Sequence, residues 1–276
     1  MLKKIILLIV CILICAQALY AGQNFTTSNK KAVDKAREEI IIEPPQTQLP
    51  ENEYLKYTVR WLGVPVGYIT ASIKGIKLIN SRRAYLLEVV VKTNAFCSAI
   101  YKIDDRFVSY MDVEGKYTLR HEVYRREGRY KKDAITDFDQ IAHKAHFKNF
   151  LDGSEKDFDI PPNVQDTLSA CYYFRLLPIE IGKRIEYAVC NNESIYKLFG
   201  IIESKDFIKV PGVGKKPAFY MQPYAKLKDK KVKKGRVSGY FGTDSKRLPL
   251  LAAVQAPMFT EVTASLSEIA YGQDIE

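Results

Sequence analysis

From Tyr54 onward the chain alternates apolar and polar residues with a period of two. Tyr57, Val59 and Trp61 fall on one face, and Lys56, Thr58 and Arg60 on the other. After Gly63-Val64-Pro65-Val66-Gly67, read as a turn, Ile69, Ala71 and Ile73 alternate with Thr70, Ser72 and Lys74. Two such runs around a Gly/Pro punctuation predict a β-hairpin. The same rhythm predicts strands over 84–93, 105–113, 117–126, 129–138 and 142–150, with Glu127-Gly128 as a tight turn. It resumes over 184–190, 194–209, 217–227, 236–242, 248–256 and 260–270. One segment breaks it. From Asp166 to Leu177, residues Leu168, Cys171, Tyr172 and Leu176 recur every three to four positions. Asp166 is placed to cap the first turn and Pro178 to stop the last, which predicts one helix over 166–177. About 12 to 14 short strands and one helix predict a mainly β fold. The expected form is an antiparallel, strongly curved sheet, a half-barrel or β-roll, with the helix packed against it.

The N-terminal residues follow other patterns. Met1-Leu2-Lys3-Lys4 is a basic start, Ile5 to Ala16 is an uninterrupted apolar run, and small residues follow at Ala18 and Ala21. That order predicts a signal peptide over 1–21, cleaved near Ala18 or Ala21, and an exported, periplasmic or extracytoplasmic protein. The run is shorter than the ~20 residues of a membrane span, although a retained anchor is the alternative. A lipoprotein fits less well, because Ile14 precedes Cys15 where a small residue would stand. Residues 22–50, ending in the Pro44-Pro45 to Pro50 stretch, are expected to form a flexible tether, and 51–271 a single all-β domain.

Composition narrows the partners. The formal net charge is +10, of which two lysines belong to the first 21 residues. In an exported protein this balance suits anionic lipid headgroups or envelope polymers, and a basic run without interleaved aromatics gives no stacking platform for nucleic acid. Cys97, Cys171 and Cys190 follow the signal segment, too few for a disulfide framework; buried thiols are expected, with Cys171–Cys190 the preferred pair if one forms.

Four segments together carry a resemblance: YTVRWLGVPVGYITASI (57–73), YKIDDRFVSYMD (101–112), IPPNVQDTLSACYYFRLLPIEIGK (160–183) and GTDSKRLPLLAAVQAPMFTEVTASLSEI (242–269). Their content and order resemble the bacterial exported family of domain of unknown function 3108, over nearly all of 54–270. The resemblance implies an envelope-associated antiparallel β protein and brings no active site with it. By fold analogy it suggests the half-barrel of lipoprotein carriers, in which a curved sheet wraps a helix and an apolar cavity.

No constellation completes a catalytic site. His143 and His146, three apart on an expected strand, face opposite ways and lack partners at metal-ligand spacing, so neither a metal nor another cofactor is expected. Ser169 lies outside any Gly-x-Ser-x-Gly elbow. Asp105 with Arg106 is read either as an orienting pair for a polar ligand head or as a surface ion pair, and Asp166 as a helix cap or a ligand contact. Tyr172 and Tyr173 either line an apolar cavity or cover the core. Lys230, Lys231, Lys233 and Lys234, within the basic run Lys226–Arg236, are candidates for a membrane surface or an anionic polymer. These readings converge on non-catalytic binding of an apolar or amphiphilic envelope component, with the 166–177 helix as cavity wall or lid. Docking of an envelope protein by strand addition is the alternative, and hydrolysis of an envelope polymer by Asp105 or Asp166 the third reading.

Overall fold

The computed structural model describes residues 40–227, 230–231, 236–255 and 261–272. Seventeen strands and two helices make up these residues. The first run comprises β1 (Asn52–Trp61), β2 (Val64–Ile79), β3 (Arg82–Thr93), α1 (Ala95–Ile100), β4 (Asp104–Asp112), β5 (Thr118–Glu127), β6 (Tyr130–Asp139), β7 (Lys144–Asn149) and β8 (Glu155–Asp159). After β9 (Gln165–Asp166) and α2 (Ser169–Leu176) come β10 (Arg184–Asn191), β11 (Ser194–Val210), β12 (Gly214–Met221), β13 (Tyr224–Leu227), β14 (Lys230–Lys231), β15 (Arg236–Gly242), β16 (Pro249–Gln255) and β17 (Glu261–Tyr271).

The fold is mainly β, a large curved sheet that does not close. Strands β1 to β8 form an antiparallel meander. On its other side β1 pairs with β17, from Glu53 opposite Tyr271 to Trp61 opposite Val262. The sheet then continues through β16, β15, β12 and β11. The first half of β11 carries β10 and β13, and β9 lies parallel beside β10. Register shifts at Lys56/Tyr57, Val59/Arg60, Ile73/Ile76 and Tyr110/Met111 mark bulges, which bend a strand and increase its twist. Curvature brings the two arms together through side chains: Phe138, Ala145 and Ile160 pack with Cys190, Ala188 and Ile195.

The alternation read from the sequence is the concave face. Leu55, Tyr57 and Val59, then Ile69, Ala71 and Ile73, then Leu87, Val89 and Val91 are all buried there, with Val262, Ala264 and Leu266 of β17. Helix α2 lies in this trough. Its approach and body supply Leu168 and Tyr172 to the main core, Ala170 to a second cluster and Phe174 to a third.

Several expectations are corrected. The helix spans Ser169–Leu176 rather than 166–177, because Gln165 and Asp166 pair with Val189 and Cys190 as a strand. The first hairpin turns at Leu62-Gly63, with Trp61 opposite Val64, so 64–67 is already strand. His143 sits in a turn at φ +55°, not on a strand. Residues 40–50 are held rather than loose: Glu43 N–H donates to Thr243 O, Gln46 N–H to Ser245 O, and Leu49 is buried. The rest of the expected tether, 22–39, and the expected signal segment lie outside the described residues. No disulfide links Cys97, Cys171 or Cys190.

Candidate functional site

The concave face is open at one end. A cavity of about 370 Å³ lies between the tips of β1 and β2, the end of β3, and α1. Buried Val59, Val91 and Ile103 form its inner wall and belong to the main core, while Trp61, Val66 and Tyr101 are partly buried around it. Its wall is almost wholly apolar, and its volume falls in the range of small-ligand sites. The Trp61 indole N–H is buried without an acceptor.

Local sequence explains the shape. Gly67 faces Thr93 where β2 and β3 run so close that a Cβ on Gly67 would sit 2.3 Å from the carbonyl oxygen of Lys92. Asn94 then starts α1. Its side-chain oxygen accepts the Cys97 N–H at 2.8 Å, and its amide nitrogen donates to Pro65 O at 2.9 Å, so one residue both caps the helix and ties it to β2. Thr93 Oγ1 accepts the Ile103 N–H and lies 2.8 Å from Ser98 Oγ, and the Tyr101 N–H closes the helix on Cys97 O.

The mouth is bounded by apolar residues in solvent: Leu62 at 60% exposure, Val64 at 62%, Phe96 at 78% and Ile100 at 70%. Phe96 and Ile100, four apart, share one face of α1. Leu62 occupies the left-handed region at φ +49°, next to Gly63 at +81°. Both central residues at positive φ are the pattern of a type I′ hairpin, where Asn or Gly is preferred and a leucine costs roughly 1–2 kcal/mol. An exposed leucine held against that preference points to a use for its side chain.

The residues singled out in the sequence lie elsewhere. Asp105 is fully buried and accepts the Arg126 N–H at 2.7 Å, while Arg106 points outward to Glu88 at 2.6 Å, so the two do not form an orienting pair. Burial, and then the adjacent Glu127 carboxyl, push Asp105 up to about 7, against the pull of the Arg126 N–H and of Arg125 at 3.6 Å. Asp166 is fully buried as well. Its Oδ1 accepts the N–H groups of Leu168 at 2.6 Å and Ser169 at 3.1 Å, capping the approach to α2; its Oδ2 accepts from Ser109 and Thr118. His121 Nε2 is 3.8 Å from Asp166, beyond hydrogen-bond range, and burial lowers its pKa. In this network the Ser109 hydroxyl goes to the carboxylate rather than to an imidazole, and neither aspartate lines the cavity.

Tyr172 and Tyr173 also stay away from the cavity. Tyr172 is buried beside Arg175, at a void of about 20 Å³, and Tyr173 packs edge-on against Tyr187. Arg175 forms a two-pronged pair with Glu53, 2.7 Å on each side, with both residues buried. The helix at the cavity is therefore α1, a segment that no periodicity in the sequence marks, and not the expected 166–177 helix. Lys230 and Lys231 pair with Leu227 and Lys226 in a short hairpin, while Lys233 and Lys234 lie outside the described residues. Among the described residues no group of three metal-ligating side chains occurs. The outer strand of the meander, β8, exposes Glu155, Lys156, Asp157 and Asp159, charges that resist strand addition.

The family model described as "Protein of unknown function (DUF3108)" matches residues 56–266. Among solved structures, a β-barrel-like protein of domain of unknown function DUF1849 from Brucella abortus is similar with a TM-score of 0.55 and 7% identity, covering 82% of this chain and 100% of that one. At that identity the likeness is one of fold. A candidate exported protein with YmcC-like fold from Bacteroides fragilis has a TM-score of 0.30 at 9% identity, covering 83% of this chain and 99% of its own. A candidate lipoprotein from Parabacteroides distasonis has 0.32 at 6%, covering 84% and 100%. No curated protein matches the sequence.

Proposed function

The chain belongs to the DUF3108 family of proteins of unknown function, and on that premise we propose that it holds the hydrocarbon part of an envelope amphiphile in the cavity under α1. The carrying observation is the cavity itself: about 370 Å³ with an apolar wall continuous with the core and a mouth open to solvent. Each methylene moved from water into such an apolar volume gains about 0.8 kcal/mol. The role is non-catalytic binding in an exported protein, a location supported by the basic and apolar order of residues 1–21.

Two measurements test this. Native mass spectrometry of the protein from the envelope fraction of its own host should show a stoichiometric amphiphile. Titration with monomeric long-chain amphiphiles should shift the emission of Trp61, the single tryptophan. Val91→Phe, which fills the inner wall, should abolish that shift. A clean mass together with an unmoved Trp61 spectrum would sink the proposal.

A further inference from the structure

We infer that the mouth of the cavity docks on an anionic bilayer surface, with the edge of the sheet that carries Leu62 and α1 turned toward the lipid. The inference rests on the amphiphile-holding reading of the cavity and names where its ligand is exchanged.

In an antiparallel meander the connections alternate between two edges. Those of β1–β2, β3–β4, β5–β6 and β7–β8 share one edge; those of β2–β3, β4–β5 and β6–β7 share the other. Exposed large apolar side chains are divided unequally between them. The first edge carries Leu62, Val64, Phe96 and Ile100 at the cavity, and Phe150 and Leu151 at the β7–β8 turn. The second carries Leu78 and Ile141. Several exposed apolar residues on successive connections exceed the scattered apolar residues of an ordinary surface.

Charge on the same edge selects the partner. Lys102 follows α1, and Arg129 and Lys131 flank the β5–β6 turn, all three exposed. Acids also stand on this edge: Asp152, held by Ser154 and Asn149; Glu155, paired with Lys148; and exposed Glu261, whose carbonyl accepts the Leu62 N–H. Apolar side chains reaching past a cationic collar match the two layers of a bilayer surface that contains anionic lipid. Leu62 is the most telling residue, since its backbone is held in a conformation that Asn would adopt more readily. A protein partner would account for the apolar patch but would not require the collar and an acyl-sized cavity to coincide.

The test uses the full chain and vesicles of phosphatidylcholine, with or without phosphatidylglycerol, carrying brominated acyl chains. Because Trp61 is the single tryptophan and lines the mouth, its quenching reports contact of this edge with hydrocarbon. We expect quenching by vesicles containing phosphatidylglycerol, weakened by 0.5 M salt at about the screening expected for exposed charges. The triple variant Leu62→Asn, Phe96→Ser, Ile100→Ser should lose at least tenfold in apparent vesicle affinity. It should keep its fold, read as a melting temperature no lower than wild type; uptake of a monomeric brominated fatty acid is measured on the wild type, because these three side chains also line the cavity mouth. The apolar run at 5–16 is common to all variants, so differences between them report the rim. Wild-type Trp61 left unquenched by vesicles, or a triple variant quenched like wild type, overturns the docking. If monomer uptake persists in that case, the cavity reading stands alone. Conversely, a wild type that docks but takes up no monomer retains this edge as a membrane surface and removes the cavity as its reason.

Discussion

Around α2 the trough of the sheet is filled to a residual void of about 20 Å³, whereas under α1 the same trough leaves about 370 Å³ open. The difference lies in what each helix brings. α2 contributes to three clusters, with Tyr172 and Phe174 its large buried side chains, and locks itself to β1 by the buried Arg175–Glu53 pair. α1 buries none of its six residues and turns Phe96 and Ile100 outward. One helix is part of the core; the other is a cover tied down mainly through Asn94. A curved sheet thus offers a cavity only where nothing fills it, and the aromatic helix is what fills most of this one.

This contrast can be broken at its stiff end first. Arg175→Met leaves Glu53 buried without its partner and should cost about 3–5 kcal/mol in urea unfolding, whereas Phe96→Ser should stay within about 0.5 kcal/mol. Equal losses would dissolve the distinction. Asp105 sharpens the comparison next. Its folded pKa lies above its unfolded value, so its contribution is fully present below about pH 4 and is lost as pH rises through about 7. The stability of Asp105→Asn relative to wild type should therefore rise between pH 4 and 8, on the order of a few kcal/mol. A pH-independent difference would remove Asp105 as a buried acid. At the open end, two added methylenes on a bound amphiphile should tighten binding by about 15-fold. Affinity insensitive to chain length would show that the cavity is not where the chain goes. A small effect is expected even at the filled end, where the Tyr172 hydroxyl has no protein acceptor. Tyr172→Phe should change stability by less than about 1 kcal/mol, read as an unchanged melting temperature within a few degrees.

The sequence made the scaffold legible and the site obscure, for a physical reason. Strands betray themselves by alternation because one face is buried, so Leu55-Tyr57-Val59 and Leu87-Val89-Val91 announce the trough directly. The site is the place where that rule is suspended. Leu62, Phe96 and Ile100 are apolar residues in solvent, and in a string of letters they cannot be told from core. α1 is too short to show a helical period; its one signal was Thr93-Asn94 before a small apolar run, an N-cap that the strand rhythm overshadowed. Asp105 and Arg106 are adjacent in sequence and lie on opposite faces of β4, so proximity in the chain suggested a pair that the pleat separates. Asp166 was legible as a cap, since that role needs only its own neighbours.

The pairing of β1 with β17 has a further consequence, for the order in which the molecule is assembled. Among the described strands these are the first and the last, yet they lie side by side in the middle of the sheet, from Glu53 opposite Tyr271 to Trp61 opposite Val262. The meander β2–β8 can form from near neighbours as it is synthesised. β1 joins it through its hairpin with β2, but its other edge must wait for β17, about two hundred residues away, at the loop-closure cost and slowness that such distant contacts impose. The cavity wall, drawn entirely from Val59 to Ile103, therefore belongs to the part of the sheet built from near neighbours, whereas the second edge of β1 is closed late, by one zippering step.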